Sequence, residues 1–127
     1  MPIRGIRGAT SASANTRRSI LESTRELLDE MVRANEIAIG DIASVYFTVT
    51  SDLDAAFPAA AAREMGWLDV ALLDAQAPRV LGDVARCIRV LIHWNSDSDR
   101  PIRHIYLRGA QKLRPDHARP RGRQEEQ

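Results

Sequence analysis

The run Cys87-Ile88-Arg89-Val90-Leu91-Ile92 constrains this chain more than any other stretch. It is short, β-branched and aliphatic, which predicts a buried strand. Side chains alternate along a strand, so Cys87, Arg89, Leu91 and His93 share one face, and Ile88, Val90, Ile92 and Trp94 the other. A guanidinium therefore stands on an otherwise largely apolar face. A buried charge without a partner costs several kcal/mol. Three arrangements answer that cost: an internal ion pair, an edge strand with a solvated arginine, or an anionic ligand.

The totals bound the rest. At 127 residues and 44% hydrophobic content the chain is one domain with a core. A single chain of this size leaves much surface wet, so an oligomer is compatible with it. Aromatics make up 5%, which disfavours a base-stacking nucleic-acid module. The net charge of +1 provides no field for nucleic acid or a membrane. Cys87 is the lone cysteine, so there is no disulfide framework. No apolar run has the length of a transmembrane helix, and the N-terminal residues lack a signal-peptide core. The expectation is a cytoplasmic protein.

Further elements follow from pattern. "IRGIRGA" (Ile3 to Ala9) reads as a first strand with Arg4 and Arg7 on opposite faces. Gly5 and Gly8 would permit close backbone approach or a bulge. After a loop, Ser13 or Asn15 can cap a helix. Its apolar stripe is Ile20, Leu21, Thr24, Leu27, Leu28, Met31 and Val32, with charges opposite and Asn35 and Gly40 marking its exit. Val45 to Thr50 is a second strand. Phe57-Pro58 introduces a helix over Ala59 to Met65, closed by Gly66, with Arg63 projecting from it. Val70 to Asp74 reads as a third strand ending on a carboxylate. Ile102 to Leu107 reads as the hairpin partner of the arginine-bearing strand, across the polar turn Ser96 to Pro101. Residues 1–115 form the domain, and 116–127 a polar, Pro- and Arg-rich mobile tail. The order implies an α+β domain with helices on one face of a mixed sheet.

Conventional catalytic sets are absent. His93, His104 and His117 lack metal-ligand spacing, and Cys87 reads as an inert buried thiol. There is no nucleophile elbow, dinucleotide fingerprint or Walker loop. What remains is arginine: Arg7 and Arg89 on strands and Arg63 on a helix. The arginine fork binds carboxylates bidentately, so a dicarboxylate would occupy several at once, with the Tyr106 hydroxyl as a further donor.

Four separated motifs carry a family likeness: "IRGIRGAT", "FPAAAAREMGW" from Phe57 to Trp67, "CIRVLI", and "IRHIYL" with the following "LRPD". Together, from Ile3 to Asp116, they resemble the monofunctional, homotrimeric chorismate mutases of the Bacillus type. The resemblance implies a five-stranded mixed sheet, three subunits forming a pseudo-α/β barrel, and active sites between neighbouring subunits. It implies the rearrangement of chorismate to prephenate without cofactor or metal. By that resemblance Arg89 meets the ether oxygen and a carboxylate, Arg7 binds a carboxylate, and Tyr106 hydrogen-bonds the same end. Phe57, Ala59 and Arg63 line the neighbouring helix, Leu72 and Leu73 border the ring, and Leu113 closes over it. Prephenate would feed aromatic amino-acid synthesis or a specialised product.

Departures from the family pattern matter. The family's glutamate near the reacting atoms is Ala77 here, its cysteine three residues earlier is Asp74, and a frequent lysine is Ala60. The expectation is that Asp74 replaces the lost carboxylate and pairs with Arg89. The alternative function is a non-catalytic trimer that binds a small carboxylic acid, or an imine deaminase on a related trimeric fold.

Overall fold

The computed structural model describes residues 2–113, so the tail at 116–127 and His117 lie outside the described residues. The elements are β1 (Ile3–Ser11), α1 (Arg17–Asn35), β2 (Ile42–Val49), α2 (Ala59–Glu64), β3 (Ala71–Gln76), β4 (Cys87–Asn95) and β5 (Ile105–Tyr106), with 3-10 turns at Ile39–Asp41 and Arg108–Lys112. The sheet has five strands in the order β3-β2-β4-β1-β5. β4 is antiparallel to both β1 and β2, while β2–β3 and β1–β5 are parallel. The run around Arg89 is thus the central strand, which rules out the solvated-edge arrangement.

Register sorts the two faces. Ile6 lies opposite Ile92, which lies opposite Val45; Phe47 lies opposite Val90 and, on its other side, Asp74. These side chains, Asp74 apart, are buried with Ile20, Leu27, Leu28 and Met31 of α1 and Ala59 and Ala62 of α2. Both helices therefore cover one face, as the pattern implies. Gly8 lets α1 pack closely there: a Cβ on it would stand 2.5 Å from Met31 Sδ, so that side chain would have to move. The other face carries Arg7, Tyr46, Thr48, Leu73, Arg89 and Leu91. Tyr46 is 46% and Leu73 60% exposed, so the chain leaves this apolar-and-cationic face open.

Local details correct the sequence reading. Thr16 caps α1, its Oγ1 accepting the Ser19 N–H at 3.1 Å. Asn15 instead accepts the Asp54 and Ala55 N–H groups at 3.0 and 3.1 Å, fastening the loop before α2. α1 ends on Glu36 in the left-handed region (φ 54°), with Gly40 further along in a 3-10 turn. β3 runs two residues beyond Asp74, to Gln76, so the carboxylate sits within the strand.

The expected hairpin does not form. β4 already has β1 and β2 on its two sides, so no edge remains for residues 102–107. They pass instead to the free edge of β1. Asn35 receives them: its Oδ1 accepts the Arg103 N–H at 2.8 Å and its Nδ2 donates to the Arg103 carbonyl at 2.9 Å. The Leu107 N–H then donates to the Ala9 carbonyl at 2.9 Å. Only Ile105–Tyr106 is strand. Among the described residues, no helix is long and apolar enough to cross a membrane.

Candidate active site

The open face of the sheet holds the two strand arginines. Arg7 and Leu91 are opposite each other, as are Arg89 and Ala9, so both guanidiniums rise from adjacent strands on the same side. Arg7 Nη2 donates to the Tyr106 hydroxyl at 3.0 Å. The Arg7 backbone N–H donates to His104 Nδ1 at 2.9 Å, a side-chain acceptor standing in for a ladder carbonyl. Arg89 Nη2 donates to Asp83 Oδ1 at 2.9 Å. Arg7, Arg89 and Tyr106 line a groove of about 510 Å³ with Tyr46, Thr48, Leu91 and Leu113. The cationic, largely apolar groove suits an anion with a hydrocarbon body.

A second, larger groove of about 860 Å³ lies where α2 meets the C-terminal ends of β2 and β3. Phe57, Ala60, Arg63, Asp74, Ala75 and Gln76 are among its walls. Pro58 is the N-cap of α2, and the Ala59 N–H, left without an intrahelical partner at that end, donates to Asp74 Oδ1 at 3.0 Å. Burial raises the Asp74 pKa above the usual aspartate value; the Ala59 N–H and Arg63 oppose the rise. Asp74 has no ion pair within 4 Å among the described residues.

The expected site residues thus fall into two groups. Arg7, Arg89, Tyr106 and Leu113 share the open-face groove; Phe57, Arg63 and Asp74 share the α2 groove. Leu73 is on the open face, whereas Leu72 packs against the core on the helix side. Ala59 is buried and reaches the site through its backbone N–H. The expected Asp74–Arg89 pair does not form within the chain. Asp74 shares the helix-side parity of Phe47, and Arg89 that of Thr48, one residue along and on the opposite face. Arg89 is met by Asp83 instead, which answers the burial question with an internal ion pair. Ala77, just past β3, is buried and brings no carboxylate. Arg89 holds the Asp83 carboxyl below its ordinary range, helped by the Val84 N–H. Burial pushes the Cys87 thiol up to about 11, which disfavours the nucleophilic thiolate at neutral pH.

Sequence reading missed Asp83, Tyr46 and Thr48. The Leu81-Gly82-Asp83 turn signal stood just before β4, and strand parity placed Tyr46 and Thr48 on one side. Neither signal shows which cation or groove those side chains meet. No group of three or more His, Cys, Asp or Glu suited to a metal ion occurs among the described residues.

Comparisons with known proteins agree on one family. Residues 3–117 match the family described as chorismate mutase type I. The chain is 49% identical over 116 residues to chorismate mutase AroH of Thermus thermophilus, covering 90% of this chain and 95% of that one. It is 40% identical over 118 residues to chorismate mutase AroH of Bacillus subtilis, covering 91% and 93%. A solved chorismate mutase from Clostridium thermocellum superposes with a TM-score of 0.84 at 50% identity, covering 87% of this chain and 99% of that one.

Proposed function

The chain belongs to the chorismate mutase type I family, and from that premise we propose how its two grooves carry out the rearrangement of chorismate to prephenate. The observation that carries the reading is the division of the site. Cations and Tyr106 line one groove, while Arg63, Phe57 and a half-buried Asp74, without an ion pair among the described residues, line another. Each is half of a site for a dicarboxylate. A heterologous contact that seats the α2 groove of one subunit on the open face of the next would join the halves, and such contacts close into rings. A ring of three is the homotrimer of the reading. It would cover the exposed Tyr46 and Leu73 and bring Asp74 of one subunit to Arg89 of its neighbour.

The reaction is an intramolecular isomerisation. The ether bond breaks ahead of carbon–carbon bonding, so negative charge grows on the ether oxygen. Arg89, fixed on the central strand, faces that oxygen and stabilises the transition state more than the ground state. Arg7, with Tyr106 beside it, takes a substrate carboxylate, and Arg63 from the adjoining subunit a second. Phe57, Leu73 and Leu113 close around the hydrocarbon ring, holding the enolpyruvyl arm over it. No proton transfer, nucleophile or metal enters these steps. An unpaired cysteine suits the reducing cytoplasm in which the reading places the protein.

Asp74 is proposed as the carboxylate that takes over from the glutamate absent at Ala77. The test is loss of chorismate absorbance with purified protein. Wild type consumes chorismate, and Asp74→Asn lowers kcat by up to about 100-fold through lost positioning of the substrate. Because burial raises its pKa, ionised Asp74 opposes folding of the lone chain at neutral pH, and that penalty fades as pH falls through the raised value. For the dissociated chain, Asp74→Asn is therefore expected to keep or raise stability at pH 7. Near-normal turnover of Asp74→Asn removes Asp74 from the mechanism; a wild type that leaves chorismate untouched removes the activity.

A further inference from the structure

Asp83 is set in place before any ligand arrives. Its N–H closes a turn onto the Val80 carbonyl at 3.1 Å, and Gly82 supplies the positive φ (84°) that the third turn position demands. Asp83 Oδ1 accepts the Val84 N–H at 2.8 Å and Arg89 Nη2 at 2.9 Å. Val84 packs against the small buried cluster of Ala9, Cys87, Tyr106 and Ala110. The turn, the backbone bond and this apolar anchor fix the carboxylate by contacts independent of Arg89. The same cluster holds Tyr106, whose hydroxyl steadies Arg7. Each strand arginine thus has one arm held within the chain, leaving other N–H groups of the fork for a ligand.

We propose that Asp83 is a positioning residue for the rearrangement: it clamps one arm of the Arg89 guanidinium so that the remaining donors stay aimed at the reacting ether oxygen. The proposal deepens the Arg89 reading and rests on it. A long arginine otherwise samples many rotamers, and an oxyanion donor works best when it need not reorganise as charge develops. With alanine at 77, Asp83 also supplies a carboxylate beside this cation from its own chain.

Steady-state kinetics on purified Asp83→Ala and Asp83→Asn test it, with thermal unfolding run beside them. Asp83→Ala is expected to lower kcat about 10- to 100-fold while KM moves less than about threefold. Asp83→Asn, which keeps an acceptor oxygen without the charge, falls between it and wild type. Unfolding midpoints stay within about 3 °C of wild type, because the pair is partly solvated. An unchanged kcat overturns the proposal. So does a lower KM with kcat preserved, the mark of a carboxylate that merely competes with a dianionic substrate. Loss of activity in step with the unfolding midpoint overturns it too. Arg89→Ala separates the two levels. If Arg89→Ala turns over like wild type, the underlying reading fails. If it is crippled while Asp83→Ala is normal, only the role of Asp83 fails.

Discussion

Arg89→Ala is expected to lower kcat for chorismate by about 10²- to 10³-fold or more, the usual consequence of removing one preorganised oxyanion donor. The reason is positional. Arg89 lies on the central strand, with β1 and β2 hydrogen-bonded along either side, so its Cα cannot shift to let another group replace it. In the proposed role its interaction strengthens as the ether oxygen gains charge, so the loss is expected in kcat more than in KM. Arg89→Lys is expected to recover little, because an ammonium cannot keep one arm on Asp83 while aiming a second at the substrate. Steady-state chorismate consumption measures both variants. A fall smaller than about tenfold means that the charge is stabilised elsewhere in the site.

Phe47→Ala is expected to cost about 3–5 kcal/mol of folding stability. Phe47 is fully buried on the helix-covered face, opposite Val90 of β4 on one side and Asp74 of β3 on the other. Truncation leaves a cavity between the sheet and the helices that cover it, and β2 is paired on both sides of Phe47, so the backbone has little freedom to collapse into it. The loss is a large share of the roughly 5–15 kcal/mol typical of a domain. Urea unfolding at fixed protein concentration reads it as a lower midpoint with an unchanged slope. A loss below about 1 kcal/mol contradicts the placement of Phe47 at the centre of the core.

The backbone layout was legible wherever one face is apolar. Alternation through Cys87 to Ile92 located a buried strand and separated Arg89 from Ile88, Val90 and Ile92; that the strand is central and that the helices cover the second face came from the structure. The three- and four-residue spacing from Ile20 to Met31 located the helix that covers the other face. Proline 58 and Gly66 bracketed α2. Pairing between distant segments was less legible. Residues 102–107 have strand propensity wherever they dock, and what sent them to β1 is the Asn35 side chain near the end of a helix 68 residues earlier in the chain. The partner of Arg89 was missed for a similar reason. Asp74 and Asp83 are both aspartates close to β4 in the chain, and only register and the Gly82 turn decide which one reaches the open face. Most candidate residues of the site were legible through family motifs; their separation into two grooves was not, because parity on β3 follows from its pairing with β2.

The central claim is that two incomplete grooves on different subunits make one site, and mixing crippled chains tests it directly. Arg89→Ala is expected to disable the open-face half, and Asp74→Ala the α2 half. Denatured together in equal amounts and refolded, the two are expected to regain up to about a quarter of wild-type turnover, the share of interfaces that join two intact halves at random. A mixture that stays at the level of the separate variants would mean that each chain completes its own site, and the account would be wrong.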